Sequence, residues 1–148
     1  MTVLLNIVLF FWLQAPGPKV IVGLVDNRQL VVEDPQFSGF IKMRDNDAVL
    51  MYRQKNFHGE LSVKSISRVD FGEYTKGGPF QLTITLRNGQ KLEVQSERRD
   101  VLMVQGRSDG GTVTVKHPDP LSSVVKLTTK SPNRKNDLTI VYLEFPAP

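Results

Sequence analysis

The sequence predicts an all-β protein, on three observations. Short apolar stretches recur along the chain, separated by turn-forming groups such as Asp26-Asn27-Arg28 and Asn88-Gly89. Within the best of them apolar and polar residues alternate with period two, which sends one set to each face of a strand. Helical periodicity is scarce, and only the stretch 120–125 could open a short turn of helix. The expected architecture is a single small barrel or sandwich of about ten short antiparallel strands, preceded by an apolar N-terminal leader. A closed or nearly closed sheet is favoured because it hides strand edges.

The leader comes first. Val3 to Ala15 is apolar except for Asn6 and Gln14, and Pro16-Gly17-Pro18 ends the run. About 13 residues would span only about 20 Å as a helix, short of a bilayer crossing but matched to the hydrophobic part of an export signal. Residues 1–15 are therefore expected to be a signal peptide or a short anchor, and residues 19–148 the all-β domain. Two features oppose this: no Lys or Arg precedes Val3, and Pro16 is a poor residue after a cleavage point. The competing expectation is a buried first strand or helix, since Val, Ile, Phe and Trp suit a strand.

Val20 to Val22 and Leu30 to Val32 flank Asp26-Asn27-Arg28 as strand, turn and strand. Asp34-Pro35 is expected to end the second strand, because proline cannot donate to a ladder. Phe37 to Met43 and Ala48 to Tyr52 flank the polar tip Arg44-Asp45-Asn46-Asp47. In Leu61-Ser62-Val63 the alternation is period two, and the Lys64-Ser65 step then changes phase before Ile66, which predicts a bulge or short turn.

Leu82 to Val94 holds the clearest local signal, with Asn88-Gly89 between two alternating runs. A two-residue loop would set Ile84 opposite Glu93. A three-residue loop, Arg87 to Gly89, sets Ile84 opposite Leu92 and Leu82 opposite Val94, so both apolar faces agree. The second register is expected, with Gly89 left-handed. Val101 to Val104 and Thr112 to Val115 flank Ser108-Asp109-Gly110-Gly111 as another hairpin. Val124 to Leu127 and Leu138 to Phe145 flank 131–136 as one more. The run Leu138 to Phe145 is apolar on both faces, so it is read either as an open edge or as a central strand.

The segment Phe57-His58-Gly59-Glu60-Leu61-Ser62-Val63-Lys64-Ser65-Ile66-Ser67-Arg68-Val69-Asp70-Phe71-Gly72 resembles a pattern, G-x-L-x-V-x-x-I-x-x-V-x-F, recurrent in uncharacterised bacterial exported β domains. Phe37 to Val94 also resembles the strand pattern of small Sm-like barrels. The resemblance covers under half the chain and implies a small barrel. It defines no catalytic or ligand residue, and the RNA-contacting loop signatures of Sm proteins are missing.

Composition narrows the chemistry. Cysteine is absent, which excludes disulfides, thiolate zinc sites and catalytic thiols. The net charge of +4 comes from scattered cations, densest at Arg98-Arg99 and at Arg134-Lys135 beside Lys130. It is small against the roughly 6 to 10 phosphate contacts of a typical nucleic-acid binder, so nucleic acid is disfavoured.

Candidate catalytic groups are sparse. The two histidines, His58 and His117, are far apart, and a metal site would need both plus a carboxylate such as Glu60 or Asp119. Ser38, in Phe37-Ser38-Gly39-Phe40, lacks the frame of a nucleophile elbow. Carboxylates for glycoside chemistry could come from Asp70, Glu73 or Glu93, but any all-β chain offers such pairs. The glycines at Gly72, Gly77-Gly78 and Gly106 to Gly111 read as turns rather than phosphate cradles. The connector Phe71 to Phe80, with aromatic and cationic residues beside a Gly-Gly, is the candidate binding loop: Tyr74, Lys76 and Phe80. The competing expectation has Tyr74 and Phe80 covering the core edge.

No cofactor, metal or catalytic residue is expected. The leading expectation is a non-catalytic interaction module of the cell envelope, periplasmic or secreted, or anchored if the leader is retained. Its partner would be a protein or another envelope component, with membrane contact only through the leader. The alternatives are a cytoplasmic Sm-like nucleic-acid-binding barrel and a hydrolase with an unrecognised site.

Overall fold

The computed structural model describes residues 17–24, 27–72, 79–97, 102–117 and 140–147. The leader, Tyr74, Lys76, Glu73, the helical turn at 120–125 and the strand at 124–127 lie outside them. The described residues form eleven strands and one short 3-10 turn. Every strand pairing is antiparallel.

β1 (Lys19–Leu24) and β2 (Gln29–Ser38) form the first hairpin, in which Val20 faces Val32 and Val22 faces Leu30 on the core side. β2 does not stop at Asp34-Pro35, contrary to the sequence expectation. It passes through a bulge there, gaining one residue against its neighbour between Glu33 and Gln36. Asp34 takes a left-handed φ of 49° and donates its N–H to the Pro18 carbonyl at 2.9 Å. Proline is tolerated because a bulge leaves the extra position out of the ladder.

β2 turns a corner at Gly39, φ 107°, and continues as β3 (Ile41–Arg44). β4 (Asp47–Gln54) follows across Asp45-Asn46, and β5 (Phe57–Ser62) follows across Lys55-Asn56. The expected change of phase at Lys64-Ser65 is the 3-10 turn Val63–Ser65, whose first free N–H, from Lys64, is accepted by the Ser62 hydroxyl. β6 (Ile66–Phe71), β7 (Gln81–Leu86), β8 (Lys91–Ser96), β9 (Leu102–Ser108), β10 (Gly111–His117) and β11 (Ile140–Glu144) complete the set.

The strand order is β10-β9-β2-β1-β11-β6-β7-β8-β4-β3, with β5 on the other side of β4. Since β3 is the continuation of β2, the path that leaves β2 through β1 returns to the same stretch of chain through β4. The sheet is thereby barrel-like. β11 sits between β1 and β6, paired on both sides, which makes it central and removes the open-edge alternative.

Apolar residues from the facing sides fill the interior, among them Val22, Leu143, Val69 and Ile84 on four successive strands, each 0 % exposed. Phe40 is central, its ring 5.7 Å from Phe80 and 6.1 Å from Phe71. Two glycines take the place of side chains opposite tyrosines. Tyr142 faces Gly23 and Tyr52 faces Gly59, and in each pair the ring lies where a glycine Cβ would be.

Candidate functional site

The β7–β8 hairpin has the register its sequence predicts: Leu82 opposite Val94, Ile84 opposite Leu92. The loop is closed by Gly89 N–H to the Leu86 carbonyl at 2.9 Å, with Gly89 at φ 89°. That register turns Gln81 with Gln95, and Thr83 with Glu93, to the outer face. Beside them, Arg53 of β4 pairs with Gln95, and the chain then reverses through Lys55, whose φ is 53°.

These two elements enclose an open groove of about 810 Å³. Its lining includes Arg53, Gln54, Lys55 and Asn56 from the β4–β5 turn and Gln81, Thr83, Glu93 and Gln95 from the outer face of β7–β8. The Gln54 amide reaches the Glu93 carbonyl at 3.4 Å, and Arg53 Nε donates to the Lys55 carbonyl at 3.3 Å. The first contact ties the turn to the hairpin, and the second lies within the turn. Gly72, which donates its N–H to the Gln81 carbonyl at 2.8 Å, also lines the groove.

Phe80, the third residue of the expected binding loop, is 2 % exposed and packs on Phe40. Its N–H donates to the buried Ser96 hydroxyl at 2.9 Å, and its carbonyl accepts from Ser96 N–H at 2.9 Å. It closes the core at the start of β7. Of the groove residues, the sequence singled out Glu93 only as one of several carboxylates and Gly72 only as a turn glycine. Their signal is the polar half of the period-two pattern, Gln81 and Thr83 alternating with Leu82 and Ile84, and Glu93 and Gln95 alternating with Leu92 and Val94.

A second cluster lies on the outer face of β6, β11 and β2, its Tyr142 ring crossing β1 at Gly23. Arg68 stacks over the Tyr142 ring, 4.0 Å from its centroid, and holds Asp70 at 2.9 Å and Glu144 at 2.5 Å. Burial works against its charge, but these two carboxylates outweigh it and raise the Arg68 pKa above its ordinary value. Gln29 hydrogen-bonds the Tyr142 hydroxyl. Every charge in the cluster has a partner, so it reads as a clamp that ties β6 to β11 and, through Tyr142 and Gln29, reaches β2.

The other candidates are dispersed. His58 is exposed, with Nδ1 2.6 Å from Glu97, and His117 stands at the end of β10 opposite Leu102. Ser38 faces Met103, which in turn faces Lys116. Asp70 and Glu93 share one outer row with Thr83 between them, roughly 10 Å apart by strand spacing, and Asp70 is taken by Arg68. Among the described residues no group of three His, Asp or Glu is placed to hold a metal ion, and no helix is long and apolar enough to cross a membrane.

In comparisons with known proteins, the chain matches no family model, no curated protein and no solved structure.

Proposed function

We propose that this chain is a non-catalytic binding module of the cell envelope, holding its partner in the groove between the β4–β5 turn and the outer face of β7–β8. The chemistry of that groove carries the reading. Four side-chain amides (Gln54, Asn56, Gln81 and Gln95), one hydroxyl (Thr83) and two cations (Arg53 and Lys55) accompany a single carboxylate, Glu93. Amides donate and accept at once, which suits a partner dense in hydroxyl or amide groups. The cation excess favours a partner that also carries negative charge, such as an acidic glycan or peptide of the envelope.

Among the described residues the lining includes neither an imidazole nor a second carboxylate. The usual arrangements for hydrolysis need a nucleophile beside a base, or two carboxyl groups across a bond. Among the described residues a second carboxyl group is missing, and Thr83 lies on a regular strand rather than in a strained turn. The apolar run Val3 to Ala15 supports export, and with it a periplasmic or secreted location.

The test is co-sedimentation of the full chain with purified cell envelope, against a variant carrying Arg53→Ala, Lys55→Ala and Gln95→Ala. The wild type should pellet and the variant should remain in solution, while both melt at the same temperature. Equal retention of the two, or release of soluble fragments from the envelope by the wild type, contradicts the proposal.

A further inference from the structure

We infer that the outer edge of β5 is a self-association surface, on which a second copy of this chain pairs its own β5 antiparallel across a two-fold axis at Gly59. Among the described residues β5 is hydrogen-bonded on one side only, to β4. The groups on its other side follow from β4. Met51 turns both its main-chain groups away from β5: its N–H donates to Phe40 at 2.8 Å and its carbonyl accepts from Glu97 at 3.2 Å. Main-chain groups alternate sides along a strand, so Met51 and its partner Glu60 form a non-hydrogen-bonded pair. The N–H and C=O of Glu60, and those of His58, therefore point out from the sheet. The next carbonyl in that series, Ser62, already accepts from the Ser65 hydroxyl at 2.7 Å. An exposed edge of this kind is a template for another strand.

The side chains choose the occupant and the register. Only His58 and Glu60 can exchange ladder bonds with an incoming strand. A second copy centred on Glu60 would set two carboxylates directly opposite each other, and one centred on His58 would set two imidazoles opposite, each beside its cross-strand neighbour Arg53. Like charges opposite one another are destabilising. Centring on Gly59 instead places His58 opposite Glu60 of the second copy, and Glu60 opposite its His58. Each such pair exchanges two main-chain hydrogen bonds.

On the other face the same register brings Phe57 opposite Leu61 of the second copy. Phe57 is 60 % exposed, and with Val31 it makes up the exposed large apolar side chains among the described residues. The stretch Phe57-His58-Gly59-Glu60-Leu61 is thus self-complementary in main chain, charge and apolar surface at one register.

Sedimentation velocity of the full chain over a wide concentration range tests the inference. The wild type should show a concentration-dependent dimer. His58→Glu and Glu60→Lys should each weaken dimerisation by roughly tenfold or more, since the first sets two carboxylates opposite one another twice and the second removes the carboxylate that faces His58 at both positions. An equimolar mixture of the two variants should restore it. The carboxylate introduced at position 58 of one chain then meets the ammonium introduced at position 60 of the other, while the unaltered His58 and Glu60 also meet. Both sites are surface-exposed but paired within the chain, Glu60 with Arg44 and His58 with Glu97, so each variant should melt somewhat lower than wild type, and a retained cooperative transition establishes that it folds. A wild type that stays monomeric throughout, a dimer indifferent to both substitutions, or a mixture no tighter than the variants alone overturns the inference.

Discussion

At the scale of single residues, three glycines differ in what holds them. Gly89 has open space where a Cβ would go, but its φ of 89° is one that other residues resist. Gly89→Ala should therefore cost about 1 to 2 kcal/mol from the backbone alone. Gly23 has no such φ constraint, yet an added Cβ would overlap the Tyr142 ring that Arg68 stacks on. Gly23→Ala should cost about 1 to 3 kcal/mol through displacement of that ring, and much less in a Tyr142→Ala background. Denaturant unfolding of the double-mutant cycle checks this, and strict additivity would contradict it. Gly59 stands in the same relation to Tyr52. Gly89 was legible in the sequence because its partners are adjacent; Gly23 was not, because its reason is a tyrosine near the other end of the chain.

A second residue-scale expectation concerns pH. Arg44 bonds both Glu60 oxygens, at 2.7 and 2.9 Å, and that hydrogen bonding holds the Glu60 carboxyl below its ordinary pKa. A lowered folded-state pKa contributes stability above the unfolded value and loses it as pH falls through the folded one. The Glu60 carboxyl followed by NMR titration should have a midpoint below that of a free glutamate. Arg44→Ala should raise that midpoint; an unchanged midpoint would contradict the assignment.

Among the elements, the β7–β8 hairpin was the most legible. Its register followed from making two apolar faces agree, and the loop length followed from the register. Ile84 is 0 % exposed, so Ile84→Ala should destabilise by roughly 2 to 5 kcal/mol. A melt indistinguishable from wild type would remove Ile84 from the core. β2 was less legible. Proline reads as a stop in sequence, and only the bulge at Asp34, with the Pro18 carbonyl as its acceptor, lets the strand run on to Ser38. β11 was ambiguous because a strand apolar on both sides can be central or an open edge. Its insertion between β1 and β6 settles that, and such long-range pairing leaves no local mark.

For the whole molecule, the all-β, barrel-like fold was legible in period-two alternation and turn chemistry. The groove was not. It is assembled from the Lys55-Asn56 turn and the polar faces of β7 and β8, which meet only because β4 closes the path beside β8. Searching the sequence for nucleophiles, imidazoles and paired carboxylates passes over such a surface, since amides at alternate positions look like ordinary solvent-facing residues. Two further expectations belong at this scale. The mature chain should begin near Pro16 and fractionate with the envelope; an N-terminus at Met1 on a cytoplasmic protein would contradict export. The central claim, that the groove binds an envelope component without converting it, is tested most directly by amide chemical-shift mapping of the full chain with soluble acidic glycan and peptide fragments of the envelope. Saturable shifts confined to 53–56, 72, 81–83 and 93–95, with fragment signals unchanged on long incubation, are the predicted result. Shifts centred elsewhere, or new signals from cleaved fragments, would contradict it.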